Sequence, residues 1–112
     1  MRQHSENFYL REISNGIPSE RVFWVESTGN QTYLENSTLN FQTATEWPAN
    51  REPQMFDIEN LDLLSTLTVE FNQDGVIMTV EPSKAMGAIA INPKIIRVDI
   101  VATGDFKLML RK

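Results

Sequence analysis

The residues that could do chemistry are few. The chain has one histidine, His4, and no cysteine. Nucleophilic catalysis of the Ser–His or Cys–His kind needs a base that a third group orients. A lone histidine in a polar terminal stretch reads instead as a frayed surface side chain. The five glycines (Gly16, Gly29, Gly75, Gly87 and Gly104) are scattered, so no glycine-rich phosphate loop is present. Carboxylates are plentiful, at fifteen, but no pair stands out as the two acids a glycosidase requires. Asp57, Glu59 and Asp62 fall within six residues, enough oxygens to begin a calcium site, yet they lack the alternating spacing of a dedicated loop. A solvated acidic loop is the expected reading. Asn30-Gln31-Thr32 and Asn36-Ser37-Thr38 match the glycosylation acceptor pattern, which has meaning only in a secreted chain. The expectation is therefore no catalytic residue, no metal and no cofactor.

Trp47 is the side chain that most needs an explanation, because it stands beside Pro48 in a polar stretch and an indole left in water is costly. Three placements compete: against the edge of its own core, against another subunit, or as a platform on which a sugar stacks, with Tyr33 as a second platform. Met55 and Phe56 in the same stretch favour a protein partner. Trp24, inside Val22-Phe23-Trp24-Val25, reads as core.

Ten Lys and Arg against fifteen Asp and Glu give a net charge of -5, which repels polyanions and argues against nonspecific nucleic-acid binding. The charge is uneven: residues 92–112 carry +3 and the remainder -8. A basic closing segment beside an acidic body could be complementary between copies, the alternative being an ordinary solvated sheet face. No apolar run approaches the ~20 residues of a membrane span, and none follows the first residues as a signal peptide would. The expectation is a soluble chain made in the cytoplasm.

The elements that must position these residues read as strands. Leu67–Val80 alternates apolar and polar around Asp74-Gly75. A two-residue turn there sets Phe71 opposite Met78 and Val69 opposite Val80. Residues 96–111 read as a second hairpin around a Thr103-Gly104-Asp105 loop, with Ile100 opposite Leu108 and Val98 opposite Leu110 in one apolar stripe. Phe8–Ile13, Val22–Val25 and Leu39–Ala44 are further short runs, and Gly29-Asn30 is expected to fold Tyr33 and Leu34 back against the Val22 strand. Residues 45–60, with Pro48 and Pro53, read as a long loop. An extended strand is expected from about Leu61. Pro82 to Pro93 holds a small-residue strand, Ala85 to Ile91, at a point of close approach.

Seven or eight short strands without a convincing helix predict one all-β domain over residues 1–112, an antiparallel β-sandwich or jelly-roll-like fold, with residues 1–6 flexible. The predicted function is a non-enzymatic binding or assembly module, a self-associating structural subunit or an accessory subunit on a larger protein scaffold. A virion-associated protein is the example that fold-level analogy supplies. Its contact residues are expected to be Trp47, Met55, Phe56, Lys107, Met109 and Arg111. The alternative is a carbohydrate-binding module built on Trp47. Neither nucleic acid nor membrane is an expected partner.

Overall fold

A computed structural model describes residues 21–38, 43–91 and 94–112. Among these residues there are nine strands and no helix: β1 (Arg21–Thr28), β2 (Gln31–Asn36), β3 (Glu46–Pro48), β4 (Met55–Asn60), β5 (Leu67–Phe71), β6 (Ile77–Val80), β7 (Ala85–Ala90), β8 (Arg97–Val101) and β9 (Asp105–Arg111). They form a four-stranded sheet in the order β1-β9-β4-β7 and a five-stranded sheet in the order β3-β2-β8-β5-β6. Among the described strands only β2 and β3 pair in parallel. This is the expected all-β sandwich. The stretch Phe8–Ile13, residues 1–6 with His4, and positions 39–42 of the Leu39–Ala44 run lie outside the described residues.

Alternation builds the core. Phe23, Phe56, Ile58, Phe106, Leu108 and Leu110 from one sheet meet Tyr33, Leu67, Val69, Phe71, Val98 and Ile100 from the other, all buried. Each such side chain contributes about 1.5–3 kcal/mol on leaving water. Rings interlock across the layers, Phe56 against Phe71 at 4.5 Å between centroids and Phe23 against Tyr33 at 5.4 Å.

The 67–80 hairpin is present with a register two residues from the expected one, Leu67 facing Val80 and Val69 facing Met78. Because side chains alternate with period two, this shift leaves the buried face unchanged. The turn starts early because Asn72 and Gln73 take left-handed backbone angles, φ 56° and 51°. Asn72 is held there from outside the hairpin. Its amide donates to the Lys94 carbonyl, and its Oδ1 accepts from the Ile96 and Arg97 N–H groups.

The expected 96–111 hairpin does not form. β8 pairs with β2 and β5, whereas β9 pairs with β1 and β4. Val98 and Ile100 do share a core with Phe106, Leu108 and Leu110, but from opposite layers. Likewise β1 and β2 do not pair, since Gly29 (φ 73°) and Asn30 carry the chain from one sheet to the other. The two crossings are tied together. The Gly29 N–H donates to the Gly104 carbonyl at 3.2 Å, and the Ala102 N–H donates to Asn30 Oδ1 at 3.0 Å.

Two other stretches differ from their reading as a sequence. Residues 45–60 contain β3 and the sheet-interior strand β4 rather than one long loop. The expected strand from Leu61 begins only at Leu67. β7 matches its expected place, and what approaches it closely is the Asp57 side chain: a Cβ on Gly87 would sit 2.7 Å from Asp57 Oδ1.

Candidate interaction surface

The six residues singled out from the sequence separate into two groups, and neither forms an open contact surface. Trp47 and Phe56 are fully buried. Trp47 packs on Phe23 at 5.7 Å between centroids, because β3 runs parallel to β2 and turns the indole under the sheet. Of its three competing placements, the structure shows the one against its own core. Tyr33 is buried as well, so neither aromatic offers a stacking face to a sugar. Burial pushes the Tyr33 hydroxyl above its ordinary pKa. Ser27 partly offsets this without forming a well-aligned hydrogen bond.

Met55, Lys107, Met109 and Arg111 do come together, on the outer face of the four-stranded sheet. Met55 faces Arg111 across the β4–β9 ladder, and Asp57 faces Met109. Met55, expected in a loop, lies on β4 and is partly buried, and Lys107, Met109 and Arg111 are buried on this outer face. Arg111 Nε donates to Asp57 Oδ2 at 2.7 Å, and Lys107 Nζ lies 3.9 Å from Glu26 Oε2. Trp24, read as core, points to this same outer face beside Met109, with the Arg21 guanidinium 5.8 Å from its ring.

These pairs also change the meaning of the uneven charge. Lys94 pairs with Glu35, Arg97 with Asp99, Lys107 with Glu26 and Arg111 with Asp57. These four bases of the closing segment thus have acidic partners within the subunit, and Lys107 and Arg111 are buried with theirs. The Arg97–Asp99 pair sits on the outer face of the five-stranded sheet, where Thr32 Oγ1 also donates to Asp99 at 2.8 Å. The Arg97 hydrogen bond, opposed by partial burial and aided by Thr32, holds Asp99 below the usual carboxylate range. Both groups of this pair therefore stay charged near neutral pH, which suits structure rather than proton transfer.

Asp57, Glu59 and Asp62 do not converge. Asp57 is ion-paired with Arg111 on the sheet, whereas Asp62 lies beyond the end of β4 and bonds its own loop. Among the described residues no three acidic or histidine side chains form a metal-binding group.

What the sequence reading missed is the loop joining β4 to β5. Leu63 and Leu64 are 76% and 89% exposed, the most exposed large apolar side chains among the described residues. Their loop is nonetheless tightly held. Asn60 is buried, and its amide points at the carbonyls of Ser65 (2.8 Å), Val80 (3.2 Å) and Glu81 (3.3 Å). Its Oδ1 accepts from the Asp62 N–H at 3.0 Å. Asp62 Oδ1 then accepts from the N–H groups of Leu64 (2.9 Å) and Ser65 (3.3 Å), the local side-chain-to-backbone pattern that competes with strand pairing. The turn after β6 leans on this loop through a Ser83 N–H to Asp62 carbonyl bond at 3.0 Å. On the other side Gly104 is pressed against the Asp62 carboxylate, where a Cβ would come within 2.7 Å.

Two open grooves flank this tip and share Leu61 and Asp105. One, of about 500 Å³, is lined by Leu61, Asp62, Leu63, Leu64, Gly104 and Asp105. The other, of about 530 Å³, runs past Glu26, Thr28 and Phe106. Together they place two leucines at one end of the sandwich with clefts of mixed polarity beside them and carboxylates around them. No family model matches this chain, and neither a curated protein nor a solved structure matches it.

Proposed function

We propose that this protein is a non-enzymatic accessory subunit that docks on a larger protein scaffold through the 61–64 tip. One observation supports this above the others: two adjacent leucines stand in water on a loop whose backbone is pinned by a buried asparagine and an aspartate. A floppy loop could hide its leucines by collapsing, whereas a pinned one keeps them presented, and preorganised apolar side chains are what a partner's pocket gains most from binding. The internal pairing of Lys94, Arg97, Lys107 and Arg111 weakens the charge argument for self-association and favours a scaffold as the partner. A multisubunit particle such as a virion is the setting that analogy with other sandwiches supplies.

A photo-crosslinking amino acid placed at position 64, in cells that make the protein naturally, tests this reading. Ile77, exposed on the five-stranded sheet, is the control position. A discrete heterologous adduct is expected from position 64 and not from 77, and Leu63→Ser should abolish it without changing thermal stability. No adduct at 64, or equal adducts at both positions, refutes the docking surface. An adduct of twice the subunit mass replaces the scaffold with a second copy.

A further inference from the structure

Resting on that docking reading, we infer that the tip's partner presents an apolar segment flanked by lysine or arginine. Among the described residues, the charged side chains lining the grooves beside Leu63 and Leu64 are Glu26, Asp62 and Asp105, with no lysine or arginine. Asp62 spends one oxygen on the Leu64 and Ser65 N–H groups, which fixes its carboxylate at the rim rather than removing its charge. Glu26 is partly offset by Lys107 at 3.9 Å, and the neighbouring 81–84 turn adds Glu81 and Lys84, which balance. The described charges nearest the two leucines are thus predominantly negative, as is the chain as a whole at -5. Positive groups at a partner's rim would be drawn in, and negative ones turned away.

This charge pattern selects against the other occupants. A second copy joined tip to tip would bring Asp62 and Asp105 against their own duplicates. An anionic lipid surface would meet the same repulsion. Size agrees, because two leucines fall well short of the ~800 Å² per partner buried in a stable flat interface. Insertion of the leucines between a partner's side chains, with that partner's apolar groups in the flanking grooves, uses the geometry better.

The test uses short fluorescent peptides of three kinds, leucine with lysine, leucine with glutamate, and serine with lysine, titrated into the full chain. The leucine–lysine peptide should bind saturably. Affinity should fall about tenfold between roughly 50 and 500 mM salt as screening removes the attraction. Loss of apolar contact in Leu63→Ser/Leu64→Ser should cost a similar factor at unchanged net charge, about 1.4 kcal/mol per tenfold. Asp105→Asn should weaken the lysine peptide and leave the fold intact. Equal binding of the leucine–glutamate peptide, equal binding by the double serine variant, or no saturable binding of any peptide would overturn the inference. A crosslink at position 64 without a preference for lysine leaves the docking reading standing and removes only the charge rule. Absence of the crosslink removes the docking reading itself.

Discussion

Replacing Arg111 with alanine is expected to cost about 3–5 kcal/mol of folding stability, the usual loss when one member of a buried ion pair is removed. The side chains of Arg111 and Asp57 are only 4% and 3% exposed. The guanidinium grips the carboxylate with two donors, Nε to Oδ2 at 2.7 Å and Nη2 to Oδ1 at 3.4 Å. The two residues are diagonal neighbours on adjacent strands, since Arg111 faces Met55 and Asp57 faces Met109. Asp57 has little room to reorient toward water, because Gly87 on β7 lies against its Oδ1. A domain of this size has about 5–15 kcal/mol in total, so the variant should unfold at a far lower urea midpoint. Changing both partners together to apolar residues of similar volume should recover much of the loss, as buried pairs compete closely with apolar packing. A single substitution costing less than about 1 kcal/mol would show that the pair is solvated.

Trp47→Ala should be comparably severe, about 3–5 kcal/mol, the range for deleting a large buried aromatic. The indole is fully buried on Phe23, and β3, the strand that carries it, has only three residues. Removing its anchor should therefore loosen β3 as well as leave a cavity. Among the described residues Trp47 Nε1 has no hydrogen-bond partner. Trp47→Phe is thus expected to do far better than alanine, losing volume but also an unmet donor. Chemical denaturation of both variants, followed by far-ultraviolet circular dichroism, measures the difference. A loss below about 0.5 kcal/mol for Trp47→Ala would be surface behaviour and would return the residue to the role of an exposed contact.

Trp47 also shows where reading the chain as a sequence reaches its limit. Pro48 beside it signals a loop, yet proline is tolerated at a sheet edge, and β3 is an edge strand. Alternation in 67–71 and 97–101 correctly told which side chains face inward, because facing follows from local geometry. It could not tell which strand lies next door. Val98 and Leu110 look the same to a periodicity argument whether they share a sheet or face each other across the core. The charges on β9 misled for a related reason. Lys107 and Arg111 on an outer face read as solvated, but β9 lies between β1 and β4 and the acids that pair with its bases come from those neighbours. The tip had a signal that alternation obscured. Leu61, Leu63, Ser65 and Leu67 continue the strand pattern, whereas Asn60 and Asp62 are residue types that capture nearby backbone N–H groups, and the adjacent Leu63-Leu64 breaks the period. Weighting those side chains above the alternation would have placed a turn there.

Leu63 and Leu64 are held still while standing in water. Nuclear magnetic relaxation of the backbone amides, with a soluble paramagnetic agent reporting on the leucine methyls, measures both halves at once. Order parameters at residues 63 and 64 are expected near the ~0.85 of rigid backbone, together with strong paramagnetic broadening of both side chains. Order parameters below ~0.6, or methyls sheltered from the agent in the isolated chain, would contradict this.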